Sequence, residues 1–173
     1  AAFLATGANR PGDGVTSLGT TLTLKLLSDR PVFAPEYGIY SHRIGEAWLA
    51  GGASNAGGAA LAVHFDPREL EKLSARMDPA SGSGLDYYPL PRPGERFPVA
   101  DPALAPRVEP RPADDALFLK GLFEGLARVE ALGYRRLAEL GAPPLARLFT
   151  VGGGARNPAF SAIRQRIVGA EAA

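Results

Sequence analysis

The chain has 173 residues, 19 Lys and Arg against 18 Asp and Glu, and no cysteine. These counts exclude a disulfide framework, Cys-ligated zinc and a thiol nucleophile, and they leave no basic footprint for nucleic acid. A 46% apolar content supports one packed domain, and 21 glycines with 16 prolines exceed the roughly 12% of average usage and forecast many tight turns.

Residues 1–8 read as the tail of a helix closed by Gly7. No basic segment precedes this apolar run, so it is not a signal peptide. With the uncapped stretch 168–173, it makes both ends read as cut. A turn-rich loop over 9–14 leads into 15–27, where Thr, Val and Leu nearly alternate. That pattern predicts one or two strands broken near Gly19. Two short strands follow at 39–44 and 48–51 around Gly45. Residues 47–65 carry no charge, but Gly51, Gly52, Ser54, Asn55, Gly57 and Gly58 make the run a poor membrane slab. The chain is expected to be soluble and cytoplasmic. Helices are expected at 55–65 and at 68–77, the second capped by Asp66.

Nine prolines punctuate residues 78–114, yet Tyr87, Tyr88, Leu90, Phe97 and Val99 interleave with them. Apolar side chains at that density predict an ordered loop packed on the domain surface. Residues 116–140 form the clearest element. Phe118, Leu122, Leu126, Val129, Leu132, Leu137 and Leu140 recur at helical spacing over roughly 37 Å, with Gly141 and Pro143 marking the stop. A buried strand at 147–151, the triplet Gly152-Gly153-Gly154 and a helix at 158–168 complete a βα unit. The fold class is therefore mixed α/β.

Four constellations could carry chemistry. Gly152 to Pro158, between strand and helix, could admit a phosphate or a planar ring beside a helix N-terminus, with Asn157 as cap. It could equally be a capped glycine turn without a ligand. Gly14 to Thr21 nearly matches a P-loop, but Thr20 stands where the lysine belongs. What remains is a Gly-Thr-Thr turn, either a plain hairpin or a source of N–H and hydroxyl donors. Gly52-Ala53-Ser54-Asn55-Ala56 approaches a nucleophile elbow. His64 follows Ser54 too closely for a triad, so a polar helix start is the preferred reading and His42 and His64 are read as structural. Glu95, Arg96 and Asp101 are read as a network that fixes the proline-rich loop.

Taken together and in order, these segments resemble one family. They are Ser17-Leu-Gly-Thr-Thr21, Tyr40-Ser-His42, Gly51-Gly-Ala-Ser-Asn55, Tyr87-Tyr-Pro-Leu90, Gly94-Glu-Arg-Phe-Pro98 with Asp101-Pro102, and Thr150-Val-Gly-Gly-Gly-Ala-Arg-Asn157. Over nearly the whole chain they resemble the C-terminal domain of the FGGY carbohydrate kinases. The Tyr-Tyr-Pro-Leu and Ser-Asn segments point to the xylulose kinase-like or D-ribulose kinase branch. The resemblance implies an actin-like, ribonuclease H-like fold across residues 1–173. It also implies a partner N-terminal domain that holds the sugar, and ATP with Mg²⁺ on the present domain. Gly19, Thr20 and Thr21 match the turn that contacts the terminal phosphates. Gly153, Gly154, Ala155 and Asn157 match the segment that holds the adenosine and α-phosphate, and a branched side chain at Gly154 is expected to block it. The family's general base is an Asp expected just upstream of Ala1. No residue here matches it, Asp13 is not in its place, and the chain is expected to supply no metal ligand. The family's final helix and small-residue segment, beyond Ala173, are also absent. The resemblance thus implies that the parent phosphorylates a ketopentose, D-ribulose or D-xylulose, and that the 173 residues alone do not. A non-catalytic nucleotide-binding module is the alternative, and a serine hydrolase built on Ser54 is disfavoured.

Overall fold

The computed structural model describes residues 3–173. Of the expected helical tail, Ala1 and Ala2 lie outside the described residues. The rest is one 3-10 turn, Leu4–Thr6, closed by Gly7 at φ 82°. Six strands form one mixed sheet. β1 (Asp13–Leu18) and β2 (Leu22–Ser28) make an antiparallel hairpin around Gly19, and β3 (Tyr40–Ile44) and β4 (Ala47–Ser54) make a second. β5 (Arg147–Val151) runs parallel to β1, and the unforeseen two-residue β6 (Glu171–Ala172) follows it. The strand order is β3-β4-β2-β1-β5-β6.

Period-two patterning sets which face is buried. Leu22, Leu24 and Leu26 are at most 1% exposed and share one core with the helices. On the other face, Phe3 and Ala8 pack with Val15 and Leu27 in a smaller cluster. β4 extends beyond the expected 48–51 because Gly51 and Gly52 pair with β2 instead of ending the strand. Their missing side chains make room for the Leu24 carbonyl and for the Phe97 ring.

α1 spans only Gly58–Ala62, shorter than the expected 55–65. Residues 55–57 serve as a connector, with the Ala56 carbonyl accepting the Leu22 N–H at 2.9 Å. α2 (Pro67–Ser74) carries the expected Asp66 cap, completed as a capping box by Glu69. α3 (Asp115–Glu139) lies between the sheet, the 78–114 loop, α2 and α4 (Pro158–Val168), and it is buried on nearly all sides. Phe118, Leu122, Leu126, Val129 and Leu137 are in the core, whereas Leu132 is half-buried and Leu140 is exposed. Gly121 and Gly125 let Tyr87 and Pro89 approach the helix within distances that a Cβ would close.

Asp13 opens β1 as a structural anchor. Its carboxylate accepts two hydrogen bonds from the Arg147 guanidinium, at 2.9 and 2.6 Å, and the N–H groups of Asn9 and Arg10. Burial pushes its acidity towards the neutral form, but the Arg147 bonds, the two N–H groups and the Arg147 charge outweigh this and hold the carboxyl below its ordinary value of 3.8. A depressed folded-state value contributes stability above the unfolded value, and that stability is lost as pH falls through the folded one. Asp13→Asn should therefore destabilise the full-length protein by about 2 kcal/mol at pH 7 and lower its thermal midpoint. The gap from wild type should close as the pH drops below about 4, as read by melting curves across that range.

Candidate functional site

β1 and β5 are adjacent and parallel, so the turns that leave their carboxyl ends lie side by side. In open α/β sheets this is where ligands bind. The β1–β2 turn carries Gly19, and the β5–α4 turn carries Gly152 to Asn157. Between them lies a cavity of about 330 Å³. Its walls are the apolar side chains of Leu18, Leu61, Leu70, Phe123, Leu126 and Phe160, and its glycine edge is Gly19, Gly57, Gly58, Gly153 and Gly154. A second opening, lined by Glu71, Ser74, Arg156 and Pro158, shares Leu70, Gly153 and Asn157 with it.

The cavity brings together four of the residues singled out from the sequence: Gly19, Gly153, Gly154 and Asn157. Thr20, Thr21 and Ala155 do not line it. Thr20 is exposed on a neighbouring shallow surface beside Gly58 and Ala59. Gly57 and Gly58 also line the cavity, although the sequence pattern absorbs them into a helix. The glycine pair at the start of α1 was the available signal. The Gly58 N–H donates to the Gly19 carbonyl at 2.8 Å and the Ala59 N–H to the Thr20 carbonyl at 3.1 Å. A Cβ at Gly57 would sit 2.7 Å from the Thr20 carbonyl oxygen. The first turn of α1 thus clamps the Gly19 turn by its carbonyls. In a trans peptide the N–H points opposite the C=O, so the N–H groups of Thr20 and Thr21 face away from α1, next to two threonine hydroxyls.

The glycines of the second turn have different reasons to be glycine. Gly152 has φ 95°, which favours glycine, and a Cβ there would meet the Leu18 carbonyl at 2.6 Å. A Cβ at Gly154 would press on Leu18 Cβ at 2.9 Å. A branched residue at Gly154, expected to block the ligand, would therefore also clash with Leu18. At Gly153 a Cβ would meet nothing within 4 Å, although this residue lines both openings.

Asn157 caps α4. Its Oδ1 accepts the Phe160 N–H at 3.0 Å, and its Nδ2 donates to Ser74 Oγ at 2.8 Å, tying α2 to the turn. One N–H and one lone pair of the amide remain free.

Ser54 is not a nucleophile. It is fully buried and donates to Glu95 Oε2 at 2.6 Å. Glu95 also accepts from Asn55 N, Arg96 N and the Tyr88 hydroxyl. Burial, then the Glu95 charge, push the Tyr88 hydroxyl far above its ordinary value and keep it a donor. Glu95 and Arg96 are thus the structural network expected of them, with Arg96 Nε on Asn55 Oδ1 at 2.7 Å. His64 packs edge-on against Phe118 at 5.0 Å, and its pKa is lowered first by burial and then by the Arg111 charge, which favours the neutral imidazole. His42 is exposed on the edge strand. Among the described residues no three His, Asp or Glu side chains come together to hold a metal, and no described helix is long and apolar enough to cross a membrane.

Residues 14–170 match the model of the FGGY family of carbohydrate kinases, C-terminal domain. A xyloylose kinase from Brucella ovis superposes with a TM-score of 0.82 at 24% identity, over 97% of this chain and 36% of its own. A xylulose kinase from Bifidobacterium adolescentis gives 0.78 at 24% identity, over 99% and 35%. A glycerol kinase from Plasmodium falciparum with ADP gives 0.67 at 16% identity, over 92% and 34%. The chain spans about a third of the length of these neighbours. Its six-stranded mixed sheet with flanking helices is the actin-like ATPase fold of such domains, and the chain belongs to the FGGY family of carbohydrate kinases as a C-terminal domain.

Proposed function

We propose that this chain is the ATP-binding domain of a cytoplasmic kinase that phosphorylates a ketopentose, D-ribulose or D-xylulose. The observation that carries the reading is Gly153. It lines the cavity with neither positive φ nor a neighbour to explain it, so the space its side chain would occupy is left for a ligand. The apolar walls suit a purine, and the adjacent turns suit the phosphates that follow it. The xylulose kinase neighbours and the glycerol kinase with ADP support the same assignment.

Phosphoryl transfer demands positioning and charge stabilisation more than covalent participation by the protein. The Gly153 to Asn157 segment and the N-terminus of α4 hold the adenosine and the α-phosphate. The N–H groups and hydroxyls of Thr20 and Thr21 receive the terminal phosphate oxygens. No carboxylate lines the apolar cavity, so its residues fit a nucleotide and not a protein-held Mg²⁺. A divalent ion accompanying ATP would be held there through the phosphate oxygens and would stabilise the charge that develops on transfer. The general base belongs to a part of the protein preceding Ala1.

The test is ADP release by the full-length protein that carries this chain. It is supplied with Mg-ATP and, in turn, D-ribulose, D-xylulose, L-ribulose, L-xylulose or glycerol. Release that depends on D-ribulose or D-xylulose is the expected result, and the 173-residue chain alone should give none. ATP binding without sugar-dependent release would favour a non-catalytic nucleotide module.

A further inference from the structure

A buried polar network lies one layer beneath the two turns. Glu130 of α3 is fully buried, and Arg164 of α4 is 4% exposed. Arg164 grips Glu130 with two hydrogen bonds, Nε to Oε2 at 2.7 Å and Nη2 to Oε1 at 2.6 Å. The third nitrogen, Nη1, donates to Thr150 Oγ1 at 3.0 Å. Glu130 Oε1 also accepts the Thr16 hydroxyl at 2.6 Å, and Thr16 Oγ1 lies 2.9 Å from the Tyr134 hydroxyl.

The placement of these residues follows the site. Thr16 and Thr150 are register partners on the parallel β1–β5 pair. Thr16 stands just before the Gly19 turn, Thr150 just before Gly152, and Arg164 on the helix that Asn157 caps. One carboxylate therefore fixes both strands that lead to the glycine turns and the helix that leaves one of them. Stability does not require this arrangement. Burying an ion pair sacrifices hydration that its Coulomb attraction only partly restores, and apolar residues of equal volume commonly do as well. What a bidentate guanidinium adds is direction, because its planar fork accepts one geometry.

We propose that the Glu130–Arg164 pair, through Thr16 and Thr150, is the positioning device that sets the spacing of the two nucleotide-binding turns. The proposal rests on the nucleotide reading above. Thr16 and Thr150 are positioning residues that touch no substrate.

The experiment uses the full-length protein and two near-isosteric variants that replace a hydroxyl with a methyl group, Thr16→Val and Thr150→Val, with Thr16→Ser and Thr150→Ser as rescues. ATP affinity is read by titration calorimetry at 20 °C, and thermal midpoint and sugar KM are read in parallel. We expect ATP affinity to fall about tenfold in each Val variant, since small misplacements of a binding group carry large costs. Sugar KM should stay unchanged, and each Ser variant should return to within about twofold of wild type. Should Thr16→Val fail to fold, Thr150→Val alone decides, because Thr150 lies at the half-buried margin of the network. A lowered thermal midpoint with unchanged ATP affinity would overturn the proposal and leave the nucleotide reading intact. Wild-type protein that binds no ATP would overturn both.

Discussion

Gly153→Val should weaken ATP binding by the full-length protein about a hundredfold while leaving its thermal midpoint unchanged or slightly raised. The two halves of this expectation have separate causes. Gly153 sits in a short 3-10 turn, Gly153–Arg156, without positive φ, so an L-residue enters the backbone there without strain. A Cβ at that position meets no protein atom within 4 Å. Replacing a glycine under those conditions removes freedom from the unfolded chain and stabilises by about 0.4–1 kcal/mol, less the β-branched cost. The methyl groups nevertheless project into space that both openings share, and a nucleotide would have to yield that space. Calorimetric titration with ATP beside a melting curve separates the two effects. Unchanged affinity in this variant would remove the observation on which the nucleotide reading stands.

The neighbouring glycines are poorer probes for a reason visible only in three dimensions. Val at Gly154 would drive into Leu18, and any side chain at Gly152 would meet both positive φ and the Leu18 carbonyl. Loss of ATP binding in either variant would mix misfolding with obstruction. In the sequence the three glycines are indistinguishable, and only their backbone angles and neighbours tell them apart.

Much of the fold is legible in the residues because it is written in local periodicity. The α3 repeat, the Gly19 break between β1 and β2, the Asp66 and Asn157 caps and the Gly7 stop are decided within a few residues of themselves. The features that were not legible depend on partners distant in sequence. Gly51 and Gly52 look like a strand end, yet they continue β4 because Leu24 and Phe97 press on them from elsewhere. Gly58 and Ala59 look like the interior of an Ala-rich helix, yet they begin it, and their N–H groups clamp the Gly19 turn. Leu140 keeps the α3 period but falls beyond the last residue that the core covers. The Glu130–Arg164 pair carries no pattern at all, since its members are 34 positions apart on two helices. The site followed the same division. The glycine turns could be named from the sequence, but the apolar walls of the cavity come from four helices and the end of β1, which meet only in the folded chain.

Glu95→Ala should open the end of β4 and the start of α1, and weaken the proposed nucleotide site without touching it. The Glu95 carboxylate is 3% exposed and is the shared acceptor for the Ser54 hydroxyl, the Tyr88 hydroxyl and the N–H groups of Asn55 and Arg96. Deleting it strands four donors at once. Each unsatisfied buried group costs about 1–3 kcal/mol, and water entering the space left by the side chain recovers part of that. A local loss of about 3–5 kcal/mol is expected, the range seen when one partner of a buried charged interaction is removed. Hydrogen exchange on peptides covering residues 48–62 of the full-length protein would read this as faster exchange by at least about a hundredfold, because local opening reports local free energy. The effect should reach the site because Ala56, two residues after Ser54, accepts the Leu22 N–H, and Gly58 and Ala59 hold the carbonyls of Gly19 and Thr20. Glu95→Gln, which keeps one carbonyl oxygen as acceptor, should fall between the variant and wild type. Ser54→Ala removes one donor to the carboxylate and the acceptor of the Ala56 N–H at 2.9 Å, but leaves the carboxylate its other three donors, so it should cost less than Glu95→Ala. A hydrolytic role for Ser54 would require the opposite order in activity.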